Sequence, residues 1–198
     1  YADADFKRRT RQGGDAFNGG HTLEINENYV SNAQLKDHPD WVLDLIERWS
    51  LENKHTAWIA RHALRSLIKQ GNQRALAIIG AGGKPEVEII GAKVEPAVIR
   101  LGEKISLSFT VKSTVPDSQR LVIDYAIDYV KANGSSSAKV FKLKALTLPG
   151  KGTEFIARGQ HIKELTTRRH YAGRHAVHIL VNGERLASTG FEIIADAD

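Results

Sequence analysis

The chain has 198 residues, 41% of them hydrophobic and 26% charged, and carries a net charge of +5. That balance suits a globular protein of one large or two small domains and permits a polyanionic partner without demanding one. No apolar run approaches the roughly 18 residues of a membrane span, and no charged-then-apolar stretch of signal-peptide type is present. Without cysteine there is neither a disulfide framework nor thiolate chemistry, which fits a reducing cytosol.

The sequence starts at Tyr1 and contains no methionine, which predicts a fragment or a chain written without its methionines. Its first 26 residues carry Lys7, Arg8, Arg9 and Arg11 and two Gly-Gly pairs but no apolar period, the pattern of a solvated arm. From Asp37 the period becomes helical. In KDHPDWVLDLIERWS, Asp37 is placed to cap and Pro39 to open a helix whose apolar face is Trp41, Val42, Leu45, Ile46 and Trp49.

A second helix follows in TAWIARHALRSLIKQG, with Thr56 as its expected cap and Gly71 as its left-handed stop. Asn72 can cap a short third helix ending before Gly80. Short connections between amphipathic helices give antiparallel neighbours of the stacked-repeat kind over residues 27–83.

At Ala81-Gly82-Gly83-Lys84-Pro85 the period changes from helical to alternating, which marks a domain boundary. Lys104 to Lys112 reads KISLSFTVK, burying Ile105, Leu107, Phe109 and Val111 on one face. Seven strands are expected near 86–99, 103–113, 119–131, 139–148, 153–161, 174–182 and 185–194, with Asn182-Gly183 as a two-residue hairpin turn. Seven short alternating strands over 84–198 predict an immunoglobulin-like sandwich without its disulfide. The chain as a whole is read as α+β multidomain, a helical-repeat remnant followed by that sandwich.

Two places could carry function. Arg61, Arg65 and Lys69 lie four apart on the second helix, and residues 54–83 hold Lys54, those three and Arg74 but no acid. A cation every ~6 Å along one edge matches the phosphates of a nucleic-acid strand. The alternatives are a solvated face or partners for the acidic side of the preceding helix. The second place is TTRRHYAGRH, a turn between strands that holds Arg168, Arg169, His170, Tyr171 and Arg174. Such a loop can grip phosphate and stack on a sugar or exposed base, although Tyr171, Gly173 and His175 can also serve only to hold the corner.

A metal site at His175 and His178 is unfavoured, because residues three apart on a strand face opposite ways. Asp124 and Asp128 are expected on the outward, wet face of a strand. Trp41, Trp49 and Trp58 are read as core anchors, with nucleotide stacking as the sharper alternative.

KDHPDWVLDLIERW and HTAWIARHALRSLIKQGNQRALAIIG resemble the last HEAT-like repeats of the alkylpurine DNA glycosylases, the bacterial DNA alkylation repair enzymes. LVIDYAIDYVKANG, AKVFKLKALTL and TTRRHYAGRHAVHILVNG are similar to the immunoglobulin-like domain that ends one branch of that family. The likeness runs from about Glu27 to Ile194. It implies a bacterial, cytoplasmic, nucleoid-associated protein that grips duplex DNA by its backbone. It also implies hydrolysis of the N-glycosidic bond of a cationic alkylated base of the 3-methyladenine type, without base flipping and without metal or organic cofactor.

Two departures bear on activity. The family's catalytic carboxylate and lesion-facing aromatics come largely from repeats that would precede Glu27, so the resemblance leaves the catalytic residues of this chain unassigned. ENYVSNAQLKDHPD is also shorter than the family's usual run. The chain thus reads as the DNA-holding end of such an enzyme, with cations from both halves, Arg61 and Arg168 among them, converging on one surface. The competing reading is a protein-interaction module for an acidic partner.

Overall fold

In a computed structural model of the protein, residues 38–163 and 169–194 are described. The arm, the Asp37 cap and Arg168 lie outside the described residues. The chain forms two compact units that divide between Val42 and Leu43. Of the first, only residues 38–42 are described; the second carries most of the helical run and all eight strands.

Helix α1 spans Pro39–Glu47. Leu43, Ile46 and Trp49 are buried, whereas Leu45 stays partly exposed, so the face is rotated by about one position from the one its periodicity suggested. Arg74 reaches back to α1 and forms a fork on it, Nη2 to Asp44 at 2.5 Å and Nε and Nη2 to Glu47 at 3.0 and 2.9 Å. One of the five cations of the acid-free stretch therefore does serve the acidic helix.

Helices α2 (Lys54–Ala63) and α3 (Arg65–Lys69) follow as one run interrupted at Leu64. The cap of α2 is Asn53 and not Thr56: its side-chain oxygen takes the His55 N–H at 2.8 Å, so the helix starts a turn earlier than expected. Ala57, Ala60, Ala63, Leu64 and Leu67 are buried. Gly71 stops the run at φ 74°, and the Asn72 side chain caps α4 (Gln73–Ile78) through the Ala75 N–H at 3.0 Å. Both of those assignments agree with the sequence.

The strands are β1 (Val87–Glu95), β2 (Val98–Arg100), β3 (Lys104–Ser113), β4 (Gln119–Val130), β5 (Ser136–Leu148), β6 (Thr153–His161), β7 (Gly173–Val181) and β8 (Glu184–Ile194). They form a three-stranded sheet, β1-β3-β6, and a five-stranded one, β2-β8-β7-β4-β5. Six of the seven expected strands are single elements. The first, near 86–99, is two, because the chain leaves one sheet at Pro96, which has no N–H for a ladder, and joins β8 in parallel in the other. Between the sheets pack Leu107, Phe109, Val111, Leu121, Ile123, Ile127, Val177, Ile179 and Phe191, the alternate residues that the period-2 pattern turns inward.

The outer face of the five-stranded sheet bears the helical run. Val122 packs with Leu76 and Ala81, flanked by Ile68 and Ile79. Beside them the β7–β8 turn, Asn182-Gly183 with φ 49° and 80°, meets the helix stop. A Cβ on Gly183 would lie 2.3 Å from the Gly71 Cα, so the two glycines touch backbone to backbone. The Asn182 side chain also takes the Val122 N–H at 2.9 Å, and its carbonyl lies 3.4 Å from Gln73 Nε2.

Candidate nucleic-acid interface

Lys54, Trp58, Arg61, His62 and Arg65 follow one another at helical spacing, and all are exposed. Lys69, also exposed, continues the row on α3. Among the described residues, Lys54, Arg61, Arg65 and Lys69 make no ion pair, in contrast to Arg74. Four unpaired cations on one edge repel one another, and a polyanion relieves that repulsion while releasing its counterions. Trp49 is buried as expected, but Trp58 is not a core anchor. It is 55% exposed, because Ala57 and Ala60 occupy the packed face of α2 and leave position 58 on the opposite side.

Lys69 stands near a carboxylate that the alternation pattern had placed in water. Asp124 points outward from β4 but is only 4% exposed, since the helical run covers this end of the sheet. Burial pushes its acid up to about 6, although the Lys142 and Lys69 charges and the Leu143 N–H favour ionisation. Among the described residues its Oδ1 has no hydrogen-bond partner. Lys142 is the β5 residue directly across from Asp124, so a cation from the helices and one from the sandwich converge on a single acid. Lys142 is not among the cations that the sequence pattern singles out. Its signal was present in the alternation of β5, but only the strand register identifies its neighbour.

The other sequence candidate sits at the opposite end of the sheet. Arg174 is exposed near the start of β7, seven residues from Val181, a distance of about 23 Å along a strand, and Arg169 is exposed in the segment that precedes β7. His170 is half-buried against Tyr129 with ring centroids 4.8 Å apart. His175 is fully buried, stacked on Phe191 at 5.2 Å. Its Nδ1 accepts the Val130 N–H at 3.4 Å, which leaves Nε2 to donate to the Tyr171 carbonyl at 3.0 Å. Burial lowers its pKa from the ordinary imidazole value. The corner is thus held by His175 and the Tyr171 backbone.

His178 faces the other way, between Asp128 (3.0 Å) and Ser188 (2.8 Å), a tie across β4, β7 and β8. The second aspartate of β4 is therefore committed to an imidazole. His175 and His178 occupy opposite faces of the sheet, and no group of three metal-ligating side chains occurs among the described residues. No helix among them is long and apolar enough to cross a membrane.

A two-sheet sandwich whose first strand switches sheets, with a basic helical run on one outer face, defines an immunoglobulin-like domain carrying helices. The family described as "Uncharacterised protein YhaZ, C-terminal Ig-like domain" matches residues 88–195, and the chain belongs to that family. YhaZ of Bacillus subtilis (strain 168) is 35% identical over 174 residues, covering 87% of this chain and 48% of its own length. A solved structure of the Pseudomonas fluorescens alkylpurine DNA glycosylase AlkC, bound to DNA containing an abasic site analog, is 59% identical with a TM-score of 0.84. It covers 91% of this chain and 51% of that one. The chain spans about half the length of each relative, and the likeness to the alkylpurine DNA glycosylases read from the sequence stands.

Proposed function

We propose that this chain is the DNA-holding C-terminal portion of a bacterial DNA alkylation repair glycosylase. Residues 27–83 act as the end of a HEAT-like helical array and 84–198 as the immunoglobulin-like domain that follows it in the chain. The observation that carries the reading is the exposed row Lys54, Arg61, Arg65 and Lys69, which makes no ion pair among the described residues and is continued onto the sandwich by Lys142, on the far side of Asp124 from Lys69 in charge terms. The 59% identity with a DNA-bound glycosylase supports it. Backbone phosphates lie along the row, and Arg169 and Arg174 provide further contacts at the other end of the sheet, with His170 and Tyr171 shaping that corner; Arg168, outside the described residues, is proposed as a further DNA contact.

The reaction of the whole enzyme is hydrolysis of the N-glycosidic bond of a cationic alkylated base. Such a base is already a good leaving group, and a carboxylate that stabilises the developing oxocarbenium sugar supplies most of what remains. No residue of this chain is given that role. The location that follows is the bacterial cytoplasm, on the nucleoid.

The test is duplex binding as a function of salt. Each phosphate contact adds about 0.9 to the slope of log K against log salt, so a track of four to six cations predicts a slope between about −3.6 and −5.4. Arg61→Ala with Arg65→Ala should flatten it by about two contacts. Binding of equal strength at low and high salt refutes the reading, and binding that survives heparin points to an acidic protein partner instead.

A further inference from the structure

We propose that Asp124 competes from inside the protein with DNA phosphate for the charges of Lys69 and Lys142, so that duplex binding is coupled to uptake of a proton by this acid; the proposal rests on the reading of Lys54–Lys69 as a backbone track. Asp124 is almost wholly buried on the outer face of β4, and among the described residues its Oδ1 has no hydrogen-bond partner. A carboxyl group in that state is costly to ionise. Lys142 lies directly across from it on β5, and α3, which carries Lys69, packs against the same strand. Neither lysine forms an ion pair with it among the described residues, and both are exposed. The two ammonium groups thus attract the acid while staying free to meet a phosphate.

The other groups around Asp124 do not share this position. Leu180 stands opposite it on β7, Val122 and Ala126 flank it on the same face of its own strand, and Leu76 of α4 packs on Val122. The next acid of that face, Asp128, is tied to His178, and Arg65, one turn before Lys69, is a further cation of the track.

Burial pushes the acid up to about 6 against the opposing pull of the Lys142 and Lys69 charges and the Leu143 N–H. A phosphate seated against the lysines cancels part of their pull and adds a negative charge of its own. Both effects favour the protonated acid. Linkage is reciprocal, so an acid that holds its proton more tightly in the complex strengthens the complex when it is protonated. Affinity is therefore full below about pH 6, falls as pH rises to the value at which the acid titrates in the complex, and is level above it.

Binding of the 198-residue chain to a fully paired duplex is measured by fluorescence anisotropy, at about pH 5 and about pH 7.5 and at one ionic strength. Asp124→Asn, which keeps the shape of the protonated acid, should bind about 3- to 10-fold more tightly than the parent at the higher pH, the effect of one charge over roughly 10 Å near a protein surface. At the lower pH the two should agree within about twofold. Imidazoles elsewhere gain charge in both proteins alike, so the difference isolates Asp124. Carbon NMR of the parent needs no variant: the Asp124 carboxyl should titrate about 0.5–1 pH unit higher in the complex, the shift equivalent to that factor.

The coupling is wrong if Asp124→Asn binds like the parent at the higher pH, binds more weakly, or gains equally at both pH values, or if the duplex leaves the carboxyl titration unmoved. In each of those cases the track survives provided that Arg61→Ala with Arg65→Ala still weakens binding. If the arginine substitutions change nothing, or if the duplex is not bound, the track fails and the coupling with it.

Discussion

The two ends of the five-stranded sheet are built on the same strands yet behave as different chemical environments. At the helix-bearing end an acid is buried with one oxygen unbonded, between lysines from two parts of the chain. At the arginine-loop end every ring nitrogen of His175 and His178 has a partner, and the cations stand exposed beyond them. What covers a strand face, more than what lies on it, decides whether a polar side chain is stored at a cost or tied down.

The largest expected effect tests how firmly the helix-bearing end is closed. Gly183→Ala places a carbon against the Gly71 backbone and requires a left-handed alanine. Left-handed strain of ~1–2 kcal/mol and overpacking of ~1–3 kcal/mol together predict a loss of several kcal/mol in urea unfolding. Proteolysis should then begin in the helical run while the strands stay protected. Uniform protection would mean that the glycine contact does not hold the two parts together.

Next comes the corner at the other end. His175→Ala removes a buried stacked ring and leaves the Val130 N–H unpaired, for a loss of about 2–4 kcal/mol. The folded pKa of His175 lies below its unfolded value, so its contribution is complete above about pH 6.5 and is lost as pH falls below that. A variant as stable as the parent would mean that the corner is held by other contacts.

Asp124 has the opposite sign. Its folded pKa, about 6, lies above the unfolded 3.8, so folding takes up a proton between those values and stability falls as pH rises through that window. At one pKa unit per ~1.4 kcal/mol, Asp124→Asn should stabilise the protein at pH 7 by up to about 2–3 kcal/mol and by little at pH 4. The smallest effect separates the two cation groups: Arg169→Ala should change the salt slope of DNA binding by about one contact. It should leave the melting temperature within about 1 °C, as for an exposed charge.

Most of the sandwich was legible because a period of two, once interrupted by a turn such as Asn182-Gly183, has few readings. The first strand was misread because the sequence shows an extended chain on both sides of Pro96 but not that the two pieces belong to different sheets. Helix stops at Gly71 and Gly80 were visible in composition, whereas the cap of α2 was not: Asn53 and Thr56 are both cap formers, and geometry chose between them. The site was legible as a row of cations but not as a neighbourhood. That Lys142 faces Asp124 depends on the β4–β5 register, which shifts at a bulge between Ile123 and Asp124. That Asp124 is covered depends on helices more than forty residues away in sequence.

The contact between Gly71 and Gly183 leaves no room for a single additional carbon atom on the hairpin side. The helices and the sandwich are therefore not interchangeable cassettes. A chimera that joins the helices of one relative to the sandwich of another will assemble only where both donors kept a bare backbone at this joint. The two positions should accordingly be inherited as a pair, and a side chain at one requires the joint itself to be rebuilt.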